Sequence, residues 1–240
     1  MKPIKYAVLL AAGIFSLGAA ASEKYAPSLL NFSVLYDFTP VRGKVKQLKT
    51  HFLKDDDGIG YDIIISLSPA GCIESFERRG RYPEGEIALT RKGNTLSGTV
   101  KGRPLSYKFD EKCNIVSATD DGGVTQYATN TEGQMVSATL NGNLLSAHKY
   151  SESGNLIYSE YYSNGKVVSS SDISYPIESE RPYNSEIEAK LASGGTFSAW
   201  NSCVYDEKMN PTRCISNGTR VENGVRENLI SVADTQVAFY

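Results

Sequence analysis

A short motif that returns along the chain constrains the fold more than any other feature. Phe109-Asp110-Glu111-Lys112-Cys113-Asn114-Ile115-Val116-Ser117-Ala118-Thr119 is echoed twenty residues later by Thr129-Asn130-Thr131-Glu132-Gly133-Gln134-Met135-Val136-Ser137-Ala138-Thr139. Tyr150-Ser151-Glu152-Ser153-Gly154-Asn155-Leu156-Ile157 and Tyr205-Asp206-Glu207-Lys208-Met209-Asn210 keep the same frame, and Leu67-Ser68-Pro69-Ala70-Gly71-Cys72-Ile73 is a fainter relative. Four of the five copies end a strand on an aromatic or apolar residue, Phe109, Tyr150, Tyr205 and Leu67, and the other on Thr129. An Asp, Asn or Ser that can bond its own backbone follows, then a Gly or Asn where φ can turn positive. The unit is a β-hairpin, and repeating it builds an antiparallel meander. Asn164-Gly165 adds a tighter turn of the type I′ kind.

Between these turns lie runs rich in Tyr, Val, Ile, Thr and Phe, such as Tyr61-Asp62-Ile63-Ile64-Ile65-Ser66-Leu67 and Asn155-Leu156-Ile157-Tyr158-Ser159-Glu160-Tyr161-Tyr162. Helical periodicity is scarce after residue 50, so the fold class is all-β, with an N-terminal signal helix. Residues 22–168 read as the hairpin-repeat region. Residues 169–190, with Ser169-Ser170-Ser171, Pro176 and Pro182, read as a loop or linker, because Ser, Pro and charges bury little apolar area. Residues 191–240 read as C-terminal hairpins, and residues 22–240 as one folded unit.

The first 21 residues place Lys2 and Lys5 before the apolar run Tyr6 to Phe15, and end in Gly18-Ala19-Ala20-Ala21. This is the order of a secretory signal, shorter than the ~20 apolar residues of a membrane span. No cysteine stands in Leu17 to Ser22 to take an acyl chain, so cleavage after Ala21 without a lipid anchor is the expectation. The mature product would be periplasmic or secreted. Its formal charge, about −4 once Lys2 and Lys5 are lost from a chain of −2, gives nucleic acid no basic face to bind.

Four cysteines, Cys72, Cys113, Cys203 and Cys214, remain in an exported chain, which reads as two disulfides. A turn centred between Lys208 and Met209 sets Cys203 opposite Cys214 at bridging distance, which leaves Cys72 for Cys113. Neither pair has the close spacing of a zinc site, so no metal is expected there. Asp55-Asp56-Asp57-Gly58 is the best calcium candidate, but position 66, where a twelve-residue loop needs Glu, is Ser66.

Tyr36-Asp37-Phe38-Thr39-Pro40-Val41-Arg42-Gly43-Lys44-Val45-Lys46, the Cys203 to Cys214 segment and the closing Asp234-Thr235-Gln236-Val237-Ala238-Phe239-Tyr240 resemble the YnfC-like family of uncharacterised envelope lipoproteins of Gram-negative bacteria. Cys72 and Cys113 also stand where that family carries cysteines. The resemblance implies an exported, usually lipid-anchored protein without an assigned activity. This chain departs from it at the missing anchor cysteine. The hairpin units separately resemble the tyrosine-aspartate repeats of large bacterial surface and toxin-shell proteins.

Catalytic signals are sparse. His51 and His148 lie outside any motif, and the chain has no G-x-S-x-G, H-E-x-x-H or phosphate-cradling glycine loop. The expected class is therefore a non-enzymatic binding or structural β protein without a cofactor. Its partner would be a protein, peptidoglycan or a small ligand, met through exposed aromatics among Tyr158, Tyr162 and Trp200. On a strand, Tyr158 and Tyr162 face one side and Tyr161 the other. The alternative is an envelope hydrolase using carboxylates such as Glu74, Glu77, Glu84 and Glu86. A concave site holding two of them would mark it.

Overall fold

The computed structural model describes residues 24–54, 59–80 and 85–240. The expected signal segment and the Asp55–Gly58 calcium candidate lie outside these residues. Among them is one α-helix, α1 (Pro27–Tyr36), followed by sixteen strands. These are β1 (Val45–Lys54), β2 (Ile59–Leu67), β3 (Ile73–Gly80), β4 (Ile87–Lys92), β5 (Thr95–Val100), β6 (Arg103–Phe109), β7 (Ile115–Asp120) and β8 (Gly123–Thr129). The series continues with β9 (Met135–Leu140), β10 (Asn143–Tyr150), β11 (Leu156–Ser163), β12 (Lys166–Ser174), β13 (Ser185–Leu191), β14 (Thr196–Tyr205), β15 (Pro211–Glu222) and β16 (Val225–Phe239). Every strand pairs antiparallel with its neighbours in sequence, and β16 returns to pair with β1, closing the sheet into a barrel.

The two rims use different turns. One carries two-residue connections at Lys101-Gly102, Asn141-Gly142, Asn164-Gly165 and Asn223-Gly224, with positive φ at both residues of each. This is the type I′ geometry whose twist matches that of the strands. The opposite rim carries the repeated motif. In each copy the first residue's carbonyl accepts from the N–H three positions on, and its N–H donates to the carbonyl four positions on: Asp110 with Cys113 and Asn114, Asn130 with Gly133 and Gln134, Asp206 with Met209 and Asn210. The side-chain oxygen of Asp110, Asn130 or Asp206 accepts two further backbone N–H groups of its own turn. The fourth residue has positive φ, whether Gly133, Gly154, Cys113 or Met209.

The helix of this structure is not the expected signal helix; it begins after the expected cleavage point. It enters the barrel from the motif rim with Leu29, Asn31 and Phe32 fully buried. Pro27 suits its first turn, and it ends at Asp37 in a left-handed conformation. Because it is covered nearly all round, it has no single apolar stripe for periodicity to reveal. Asn31 fastens it: Nδ2 donates to the Gly133 carbonyl at 2.9 Å and Oδ1 accepts from the Met135 N–H at 2.8 Å. Ser28 Oγ donates to the Gly71 carbonyl at 2.6 Å. Phe32 then packs among Tyr36, Phe76, Tyr107 and Phe109, with ring centroids 5.0–6.2 Å away. Ile63, Ile65, Leu89 and Leu96 complete this core from β2, β4 and β5.

Outward positions mix charged and apolar side chains: Lys49, Glu77, Arg79, Lys108, Glu160 and Glu188 lie there by register, and so do the exposed Leu53, Trp200, Val204, Ile215 and Ile230. The interior is apolar around α1, and the inward face also holds the buried Arg78 of β3. No helix among the described residues is long and apolar enough to cross a membrane.

The 169–190 stretch is ordered further than its composition suggested. Serines 169–171 lie in β12, and residues 185–190 in β13, which leaves 175–184 as the connection. Ladder hydrogen bonds hold this region as strand, although little of its side-chain surface is apolar.

Candidate functional site

The expected binding aromatics occupy the outer face. Tyr158 and Tyr162 both point outward on β11 and donate their hydroxyls to the two oxygens of Glu160, at 2.5 Å each. The phenol of Tyr158 is pushed up to about 12, first by that bond, while the bonds from Tyr158 and Tyr162 hold the Glu160 carboxyl below its ordinary range. Lys149 sits over the Tyr158 ring, 4.9 Å from its centroid. Trp200, 52% exposed, faces outward on β14 opposite Glu186. Two strands intervene between β11 and β14, which places Trp200 about 14 Å from the Tyr158 column at the usual strand spacing. The three aromatics therefore form no single patch.

The expected acid–base candidates are scattered as well. His51 faces outward and shares a 2.7 Å hydrogen bond with Asp62. Glu77 pairs with Arg79, and Glu86 stands beside Lys101 along the same shallow recess. Glu74 is exposed on β3, and Glu84 lies outside the described residues. The four cysteines are joined as Cys72–Cys113 and Cys203–Cys214, with Cα separations of 5.3 and 4.1 Å, so none is free to ligate a metal.

A different feature emerges inside the barrel. Sixteen strands enclose more space than their own side chains fill, since barrels of that size leave an aqueous lumen. The core around α1 occupies the β1–β7 side. Across β10 to β16 the inward columns are sparser: Ser146 and His148; Ser159 and Tyr161; Ser171 and Ile173; Ile187 and Ala189; Phe197 and Ala199; Ser216 and Gly218; Leu229 and Ser231. Tyr161 points inward, edge-on to the buried His148 ring at 6.0 Å, yet is 43% exposed. Ile173, Ile187, Phe197 and Leu229 are only half-buried although they face the interior. Asp37, at the inner end of α1, is exposed too.

The wall of this space combines neutral groups with charge toward the rim away from the helix entry, where Arg220, opposite Phe197 and paired with Glu222, and Glu227 face inward by register. Burial lowers the His148 imidazole to about 4, and its two nitrogens are engaged by Ser159 Oγ and Ser146 Oγ at 2.9 Å each. It is a neutral member of a hydrogen-bonded triplet. The space thus offers apolar surface (Ile173, Ile187, Phe197, Leu229) interrupted by hydroxyls (Ser171, Ser216, Ser231) and one phenol (Tyr161), and bordered by Arg220 and Glu227. Such a mixture holds a small amphipathic molecule, apolar over most of its area with a few hydrogen-bonding groups. Sequence reasoning missed this lining. The available signal was the strand period of two, which puts Ile173, Ile187 and Phe197 on the inward face once the register is known.

Fold and lining define the class: a closed antiparallel meander barrel, plugged from one rim by a helix. The chain matches the uncharacterised protein family UPF0257 over residues 4–236 and belongs to that family. Among curated relatives, the UPF0257 lipoprotein YnfC of Salmonella paratyphi C is 24% identical over 202 residues, covering 80% of this chain and 79% of the relative. The protein of the same name from Salmonella typhi is also 24% identical, over 198 residues, with the same coverage. Among solved structures, a porin-like protein from Bacteroides uniformis aligns over 82% of this chain and 98% of its own at 11% identity, with a TM-score of 0.43. MucB in complex with MucA aligns over 79% of this chain and 88% of its own at 8% identity, with a TM-score of 0.15.

Proposed function

We propose that this chain is an exported, non-enzymatic binding protein that holds a small amphipathic ligand in the barrel lumen between α1 and strands β11–β16. The observation that carries this reading is the exposure of inward-facing side chains, above all Tyr161 at 43%. An apolar wall kept wet costs roughly 25 cal/mol per Å² relative to a covered one, so a ligand that covers it gains that amount. The two disulfides and the signal-like start support an oxidising compartment, the periplasm, as the place of action. Relatives carry the name lipoprotein, whereas residues 17–22 of this chain contain no cysteine to acylate. We read this member as unanchored, and residues 22–240 as one folded unit closed by the β1–β16 seam.

The test is titration of the mature protein with the apolar fluorophore N-phenyl-1-naphthylamine. Saturable fluorescence enhancement is expected, at least tenfold weaker in Ile187→Glu, because a carboxylate placed in the lumen must be desolvated with the probe. Equal enhancement in the variant would place the probe on the outer face and end the luminal reading.

A further inference from the structure

We infer that the guanidinium edge of Arg42, with the hydroxyl of Tyr183, forms a binding site for a carboxylate at the motif rim. This inference does not depend on the luminal reading.

Arg42 follows the α1 segment and forms a β-bridge with Tyr25 across the rim. Its guanidinium lies over the Tyr25 ring, 4.9 Å from the centroid. Nε and Nη2, the two nitrogens of its side-on edge, are buried and have no hydrogen-bond partner. The hydroxyl of Tyr183, in the 175–184 connection, is likewise buried without a partner, and Tyr183 as a whole is 7% exposed. The rings of Tyr25 and Tyr183 meet edge-on with centroids 6.4 Å apart, so the three donors belong to one cluster.

The neighbouring acceptors are the Tyr25 hydroxyl oxygen, which interacts with Arg42 and Tyr183 without a well-formed hydrogen bond, and the Glu178 carboxylate. Tyr25 donates to Asn155 Oδ1 at 2.7 Å. Glu178 is the nearest carboxylate, but its Oε1 accepts from Ser153 Oγ and, at 2.7 Å, from Asn155 Nδ2. That oxygen stands 3.9 Å from Arg42 Nη2, beyond hydrogen-bond reach. A buried cation with two parallel N–H donors calls for a planar anion with two acceptor oxygens, and a carboxylate meets that fork in bidentate fashion. The Tyr183 hydroxyl adds a third donor, and the Tyr25 face stabilises the cation from below. A buried guanidinium whose nearest carboxylate stands beyond hydrogen-bond reach is under-solvated, so occupancy relieves a penalty already present in the fold. Residues 176, 177, 179 and 180 of the overlying connection are exposed, which gives a route in from the rim.

The experiment is thermal unfolding of the full mature chain against acetate, N-acetylalanine and N-acetylalaninamide at matched ionic strength. Both acids are expected to raise the midpoint saturably, and the amide to leave it unchanged. Tighter binding of N-acetylalanine than of acetate would assign the site to a peptide chain end; equal binding would assign it to free small carboxylates. Tyr183→Phe is expected to weaken the acids about fivefold, the loss of one hydrogen bond to a charged group. Glu178→Gln, which removes a competing negative charge, is expected to strengthen them. In wild-type protein with nitrogen-15-labelled arginine, the Arg42 Nε–H resonance should move with the acids alone, a readout independent of any variant's folding. A shift with the amide equal to that with the acids, or an unmoved Arg42 resonance under saturating acid, would overturn the inference.

Discussion

From β2 to β6 the inward columns carry Ile63, Ile65, Phe76, Leu89, Leu96 and Tyr107, which close on α1, whereas β12 to β15 offer Ser171, Ile173, Ala189, Ala199, Ser216 and Gly218 in the equivalent places. Both sides are built from the same hairpins, with the same two kinds of turn. Turn chemistry therefore makes the sheet, and a separate choice of inward residue decides how completely the inward face is covered. The β1–β7 side commits its apolar area to stability; the β11–β16 side leaves some of it uncovered.

The sharpest way to break this contrast is to truncate one aromatic on each side. Phe32→Ala, at a fully buried ring, is expected to cost about 4 kcal/mol in denaturant unfolding. Phe197→Ala, at a half-buried one, should cost about 1 kcal/mol. Similar losses at the two positions would mean that both sides are core. The disulfides sharpen the same comparison, since their separations are 41 residues for Cys72–Cys113, at the packed side, and 11 for Cys203–Cys214. By loop-closure entropy, replacing each pair with serine should cost about 4 and about 3 kcal/mol respectively. Less than ~1 kcal/mol for the second pair would count against that bridge.

A smaller effect comes from His148 on the cavity side. Its folded pKa, about 4, lies below the unfolded value near 6.5, so the unfolded state takes up the proton first as pH falls. The stability held by the neutral imidazole is complete above about pH 6.5 and drains away between there and about pH 4, on the order of 3 kcal/mol in all. His148→Gln should flatten that window in a pH series of unfolding midpoints. The smallest expected effect is a gain: Met209 has φ +62 and is 43% exposed, so Met209→Gly should add about 0.5–1 kcal/mol by removing left-handed strain.

Much of the sheet was legible in the chain because hairpins are local. Asp110, Asn130, Ser151 and Asp206 announce their turns within five residues, and the Cys203 hairpin could be registered from its centre. Three features were not legible, each for its own reason. Closure joins His51 to Asp234, a contact no local pattern encodes. The helix is buried all round, so it lacks the one-sided stripe that periodicity detects. Strand β12 is held by pairing on both sides rather than by apolar side chains, so its serines read as loop. The luminal lining inherits the first difficulty, because inward and outward acquire meaning only after the barrel closes. The Arg42 cluster inherits it too, since Tyr25, Arg42 and Tyr183 meet only when the rim is assembled.

The seam between β1 and β16 also sets a timetable. Strand β1 comes early in the chain, but its second neighbour is made nearly two hundred residues later, and until β16 arrives one edge of β1 offers open backbone groups to any passing strand. Such long-range closure makes for slow maturation and a period of vulnerability to swapped or aggregated copies. Lys46 and Lys49, charged and exposed on that waiting edge, are suited to guard it, as gatekeepers that discourage the wrong neighbour while the right one is still being delivered.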